Sequence, residues 1–214
     1  MLGAVALIDI AAGRFERAAI LMLIALSIDS IDGTMARAVG VSRIVPSIDG
    51  RRLDDVVDFF NYAIVPAVFM VGSGILPHWG WTAPAILASC YGFSQRHAKT
   101  EDDFFRGWPS YWNVVALELW LLGVAPVWSE VIVCFFAAMV IVPLKYVYPS
   151  RAPRFRHLTN LGGLAWILLI AWAAIDPDRG RSLRLAQLAL LYPVFYVALS
   201  AWLGDWFGRA ARST

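Results

Sequence analysis

The chain has 214 residues, 59% of them hydrophobic and only 16% charged, with ten Trp and a mean hydropathy of +0.63. That is too apolar for a water-soluble domain of this length and assigns the chain to a membrane. Cys90 and Cys134 sit inside apolar runs, away from any CxxC or Cys/His spacing, which excludes a disulfide framework and a zinc site, and the net charge of +2 gains meaning only once the charges are assigned to loops.

Leu2 to Ala12 is apolar but too short to cross a bilayer, which takes about 20 helical residues. No basic region precedes it and no small-residue cleavage pattern closes it, so it does not read as a signal peptide. Arg14, Glu16 and Arg17 make a polar turn. Ala18 opens a second helix, apolar to Ile28 and continuing with charge to about Val41. Pro46 and Gly50 interrupt the helical pattern in a connection that carries Arg43, Arg51 and Arg52. A third helix is predicted from about Leu53 to Leu76, kinked at Pro66 and ended by Pro77.

A fourth helix covers Trp81 to Phe93 and leads into the polar loop Ser94 to Arg106. Pro109 opens a fifth that runs to Ala125, and Val127 to Tyr148 is the sixth. The basic stretch Arg151, Arg154, Arg156 and His157 precedes a seventh span from Leu158 to Ile175 and an eighth from Leu185 to Leu203. The expected fold is therefore all-α, a polytopic membrane bundle of about eight helices forming one domain over residues 1–214. Alternating the spans puts 13 of the 18 Lys and Arg residues on the side where the second, fourth, sixth and eighth helices end. The positive-inside rule makes that side cytoplasmic; Arg179, Arg181 and Arg184 in an outer loop run against it.

One stretch concentrates the chemistry. Asp29 to Asp58 holds six of the sixteen acidic residues. Asp29 and Asp32, with Gly33 and Ala36, fall on one face of a helix, and Asp54 and Asp58 share a face of the next. Packed side by side, these helices turn four carboxylates toward one another. Hard divalent cations such as Mg²⁺ or Mn²⁺ relieve that repulsion, and phosphate follows the metal. The small Gly33 and Ala36 leave room for a ligand on the acidic face, and Arg37, one turn on, can grip phosphate with two bonds. An ion pair with Arg37, Arg51 or Arg52 is the structural alternative for the carboxylates.

The spacing reads DxxDGxxAR, twelve residues, then GxxxDxxxD, with Gly50 as the second glycine. It resembles the signature of the CDP-alcohol phosphatidyltransferases, integral membrane enzymes that move a phosphatidyl or related group from a CDP-linked donor to an alcohol. The twelve-residue gap and the segment AKTEDDFFRGWPSYWNVVA, Ala98 to Ala116, resemble the bacterial phosphatidylcholine synthases in particular. The resemblance implies two Mn²⁺ or Mg²⁺ ions held by Asp29, Asp32, Asp54 and Asp58, with Asp58 also the base. It implies CDP-diacylglycerol bound along Asp29, Asp32, Gly33, Ala36, Arg37 and Gly50, choline as acceptor, and a bacterial inner-membrane location. Members of this group begin with a full first span, so the first helix here is expected to be truncated. A homodimer is compatible with the resemblance, and no nucleic-acid partner is expected.

Lys99, in the same loop as Arg96, His97 and Arg106, is a further candidate for the donor phosphates. A quaternary ammonium cannot donate an ordinary hydrogen bond, so its site needs aromatic faces and a nearby carboxylate. Tyr62, one turn beyond Asp58, and Glu118, the acidic residue within the fifth span, are the candidates for choline, with Tyr111, Trp112 and Asn113 as further walls. Two other readings use the same carboxylates. Serine, inositol phosphate or glycerol phosphate could be the acceptor, or the chain could be a divalent-metal transporter. A transporter is expected to carry its acidic residues near mid-membrane on interrupted helices, whereas here they cluster at one end of two adjacent helices.

Overall fold

The computed structural model describes residues 1–40, 44, 47–96, 98–149 and 155–207, without the side chains of Gly33, Thr34, Ala36 and Arg37. The expected positions Arg43, Pro46, His97, Arg151 and Arg154 lie outside the described residues. Helix α1, Leu2–Ala11, and α2, Phe15–Val39, form an antiparallel hairpin. Its turn is tied by the buried Asp9, whose Oδ1 accepts from Arg14 Nε at 2.7 Å while Arg17 Nε lies 3.6 Å from Oδ2.

Helix α3 runs continuously over Gly50–Gly72. It opens on Asp49, whose carboxylate accepts from the backbone N–H groups of Arg51 and Arg52, an N-cap that starts the helix three residues before the expected Leu53. The kink expected at Pro66 takes a different form. Residues Phe60–Ile64 make a π-helical turn, with Val65 N–H donating to Phe60 O, and an α-helical segment resumes at Val65. Proline has no N–H and crowds the carbonyl four residues back, and the wider turn just upstream accommodates both without breaking the helix. α1 backs this region closely: a Cβ on Gly3 would run into Asn61 and Phe60, and one on Gly72 would come within 2.7 Å of Ile10 Cγ2.

A 3₁₀ turn at Trp79–Thr82 leads into α4, Ala83–Ser94. The segment after it holds strand β1, Phe104–Arg106, paired antiparallel with β2, Lys145–Val147, in the register Phe104↔Val147. Helix α5, Trp112–Leu122, is the centre of the bundle: Trp112, Ala116 and Leu117 have no exposed surface. Helix α6, Pro126–Ile141, packs on α4 and ends seven residues short of the expected Tyr148, because Pro143 disfavours helical geometry at Val142, which is extended. Helix α7, Arg156–Ile175, a short α8, Pro177–Ser182, and α9, Leu185–Leu203, complete the chain. A turn at Leu190 divides α9, where Pro193 frees the carbonyl of Ala189.

The protein is an all-α membrane helix bundle. Among the described residues α3, α7 and α9 are long and apolar enough to cross a membrane, while α1, α5 and α6 are apolar but shorter. On α7 the large residues Leu161, Leu164, Leu168 and Ile175 form one exposed stripe, with Trp166, Ile170 and Ala174 buried opposite. Against lipid tails such a stripe carries no penalty, so cohesion between helices comes from close packing of small residues. Gly162 and Gly163 provide it: a Cβ on either would lie within 3.2 Å of the Tyr192 side chain of α9.

Candidate active site

The site forms where α2 and the first half of α3 meet. Asp29, Asp54 and Asp58 are half-buried, and one carboxylate oxygen from each lies within 4.8 Å of the others. The four-residue spacing on α3 puts Asp54 and Asp58 on one face, as the sequence predicts. Asp58 and Asp29 approach to hydrogen-bonding range, and Asp54 also feels the charges of Asp32 and Asp55. Ionised carboxylates this close repel strongly in a partly desolvated setting. Among the described residues no Lys or Arg forms an ion pair with any of the three. Three hard oxygen donors so spaced fit a divalent cation such as Mn²⁺ or Mg²⁺.

Asp32 lies on the same helix but is exposed and outside this trio. Gly33, Ala36 and Arg37 continue that helix, and their side chains lie outside the described residues. Gly50 is the first residue of α3, and a Cβ there would meet nothing within 4 Å among the described residues. Lys99 comes from the loop before β1. Its ammonium sits 5.6 Å from the centre of the Tyr148 ring, and its charge acts on both Asp54 and Asp58.

The candidate choline residues separate into two groups. Tyr62 is buried beside the trio, and its hydroxyl donates to Asp29 Oδ2 at 2.7 Å. Tyr111 is half-buried within electrostatic reach of Asp29, Asp58, Tyr148 and Tyr192, and its ring meets that of Tyr196 edge-on at 6.0 Å. Glu118 is not gathered into the trio. It is buried between α5 and α7, where its Oε1 accepts from Trp166 Nε1 at 2.7 Å and its Oε2 has no hydrogen-bond partner among the described residues. Trp112 is committed to the core, its Nε1 donating to Ser89 Oγ at 2.7 Å and its ring packed edge-on against Trp108. Asn113 is buried, with both side-chain amide atoms lacking hydrogen-bond partners among the described residues.

Three aromatic residues escaped the sequence reading. Tyr148, Tyr192 and Tyr196 come from the chain after α6, and only the fold brings them to Tyr111. The glycine pair on α7 that receives Tyr192 is visible in the sequence, but nothing there names its partner.

The chain is 39% identical over 154 residues to the phosphatidylcholine synthase of Legionella bozemanae, a match covering 70% of this chain and 71% of that protein. It is 41% identical over 135 residues to the phosphatidylcholine synthase of Legionella pneumophila, covering 61% of this chain and 53% of that protein. With the phosphatidylcholine synthase of Borreliella burgdorferi the identity is 29% over 204 residues, or 94% of this chain and 87% of that one. No protein-family model matches the chain.

Proposed function

We propose, because this chain belongs to the phosphatidylcholine synthase family, that it transfers the phosphatidyl group of CDP-diacylglycerol to choline with release of CMP. The observation that carries this reading is the convergence of Asp29, Asp54 and Asp58 from two helices. Asp29, Asp54 and Asp58, with Asp32 at the rim, would hold two Mn²⁺ or Mg²⁺ ions. Bound there, the ions would neutralise charge on the pyrophosphate and on the departing CMP. Arg37 and Lys99 grip the donor phosphates, and Gly33, Ala36 and Gly50 leave room for them to approach.

Asp58 takes the proton from the choline hydroxyl. The oxygen so activated forms a bond to the phosphorus that carries diacylglycerol, and the bond from that phosphorus to CMP breaks. No protein nucleophile is needed, because the acceptor oxygen itself makes the new bond. The Tyr62 and Tyr111 rings wall the trimethylammonium, Glu118 and Asn113 supply polar groups deeper in α5, and Trp112 backs the wall from the core. The enzyme lies in the bacterial inner membrane with the carboxylates open to the cytoplasm.

The test is an acceptor panel. Purified protein with CDP-diacylglycerol and Mn²⁺ is expected to release CMP with choline and not with serine, inositol phosphate or glycerol phosphate. Release with one of those three and none with choline reassigns the acceptor. Metal uptake into vesicles without CMP release would instead identify a transporter.

A further inference from the structure

The Tyr62 hydroxyl has a second use beyond the ring wall, and this inference rests on the metal reading of the carboxylate trio. We propose that Tyr62 is a positioning residue whose hydroxyl holds the Asp29 carboxylate in the orientation in which it ligates the divalent cation. The 2.7 Å bond from Tyr62 to Asp29 Oδ2 joins residues 33 apart and bridges α3 to α2. Of the trio, Asp29 is the member supplied by α2, so its aim relative to Asp54 and Asp58 depends on how the two helices are joined.

A phenol suits this task better than a basic side chain. It fixes one carboxylate oxygen by donating a single hydrogen bond, yet leaves in place the negative charge that a cation requires. Asp29 Oδ1 would then remain free for a divalent cation. The donor is itself firmly held. Tyr62 is 7% exposed and lies inside the π-helical turn Phe60–Ile64, which packs against α4 and α5. On another side the same turn is pressed by α1, where Gly3 leaves no space for a Cβ against Phe60 and Asn61. A π turn carries one residue more than an α turn and so re-aims the side chains within it, which fits its frequent appearance at working sites.

Tyr62→Phe separates the two roles, because it keeps the ring and removes only the hydroxyl. Mn²⁺ is titrated into the purified full chain without substrates, with free Mn²⁺ read by electron paramagnetic resonance. Steady-state kinetics with choline and CDP-diacylglycerol follow. Tyr62→Phe is expected to weaken Mn²⁺ binding at least tenfold and to lower kcat, with partial recovery at high Mn²⁺ and a choline KM within about twofold of the parent. Unchanged Mn²⁺ affinity overturns the proposal, whether the variant is otherwise normal, shows only a raised choline KM, or melts at a lower temperature. Asp29→Asn in the same titration reports on the premise separately. If it binds Mn²⁺ as the parent does, the metal reading fails and the positioning role fails with it, whatever Tyr62→Phe shows.

Discussion

An amide in place of a carboxylate keeps its shape and discards its charge, so Asp58→Asn distinguishes proton removal from metal holding. If Asp58 is chiefly the base, the variant retains CDP-diacylglycerol binding while CMP release falls by about 10² to 10⁴. Donor affinity lost as severely as in Asp29→Asn would mean that Asp58 is a ligand only. A chelator is expected to abolish turnover reversibly in the parent. Helical spacing alone put Asp54 and Asp58 on one face and picked out Asp29 on the preceding helix, where it lies midway along Phe15–Val39; the fourth expected carboxylate, Asp32, falls outside the trio. The Tyr62 bond to Asp29 was not legible in the sequence. Spacing within a helix says which residues share a face, but not which atom across a 33-residue separation a hydroxyl will find.

Among the elements, the short strand pair is flanked by Lys99 and Tyr148, and Lys99's charge acts on Asp54 and Asp58. Gly107 follows β1 with φ +85, its N–H donating to Leu144 O at 2.8 Å, and an added Cβ would run into the Val140 carbonyl. Gly107→Ala therefore combines left-handed backbone strain with overpacking against backbone, for a destabilisation of roughly 2 to 5 kcal/mol. The check is the thermal midpoint in detergent, which should fall well below that of the parent; an unchanged midpoint would show that the strand pair yields easily. Sequence periodicity predicted α7 and α9 closely, because long apolar runs dominate there. It carried the sixth helix past Pro143 because hydrophobicity continues through β2, and three-residue strands leave too little alternation to detect.

For the whole molecule, the proposed orientation turns the carboxylates toward the cytoplasm. Asp49, the N-cap of α3, and Trp79, in the 3₁₀ turn after its far end, are both exposed and provide reporters. In a background with Cys90 and Cys134 replaced by Ser, Asp49→Cys is expected to react with a membrane-impermeant maleimide only in inside-out vesicles. Trp79→Cys should react only in right-side-out ones. The reverse pattern would turn the carboxylates away from the cytoplasm. The membrane class itself was plain from composition, since an apolar fraction of 59% cannot be buried in a chain of this size. Crowding of helices around α5 was not, because large residues face lipid as readily as core and give periodicity no inside or outside to register.

The π turn in α3 can be restated as an insertion. It inserts one residue between the half of the helix that carries Asp54 and Asp58 and the half that packs against α1 and α5. Each helical residue advances the face by about 100°. A chain shortened by one position between Asp58 and Pro66 could keep every side chain named in the acidic signature and a fully regular helix. Its carboxylates would nevertheless point about a quarter-turn away from Asp29. For this protein, then, a single-residue deletion that leaves the motif letter-perfect can be as disabling as the loss of an aspartate, and comparison by motif alone would not detect it.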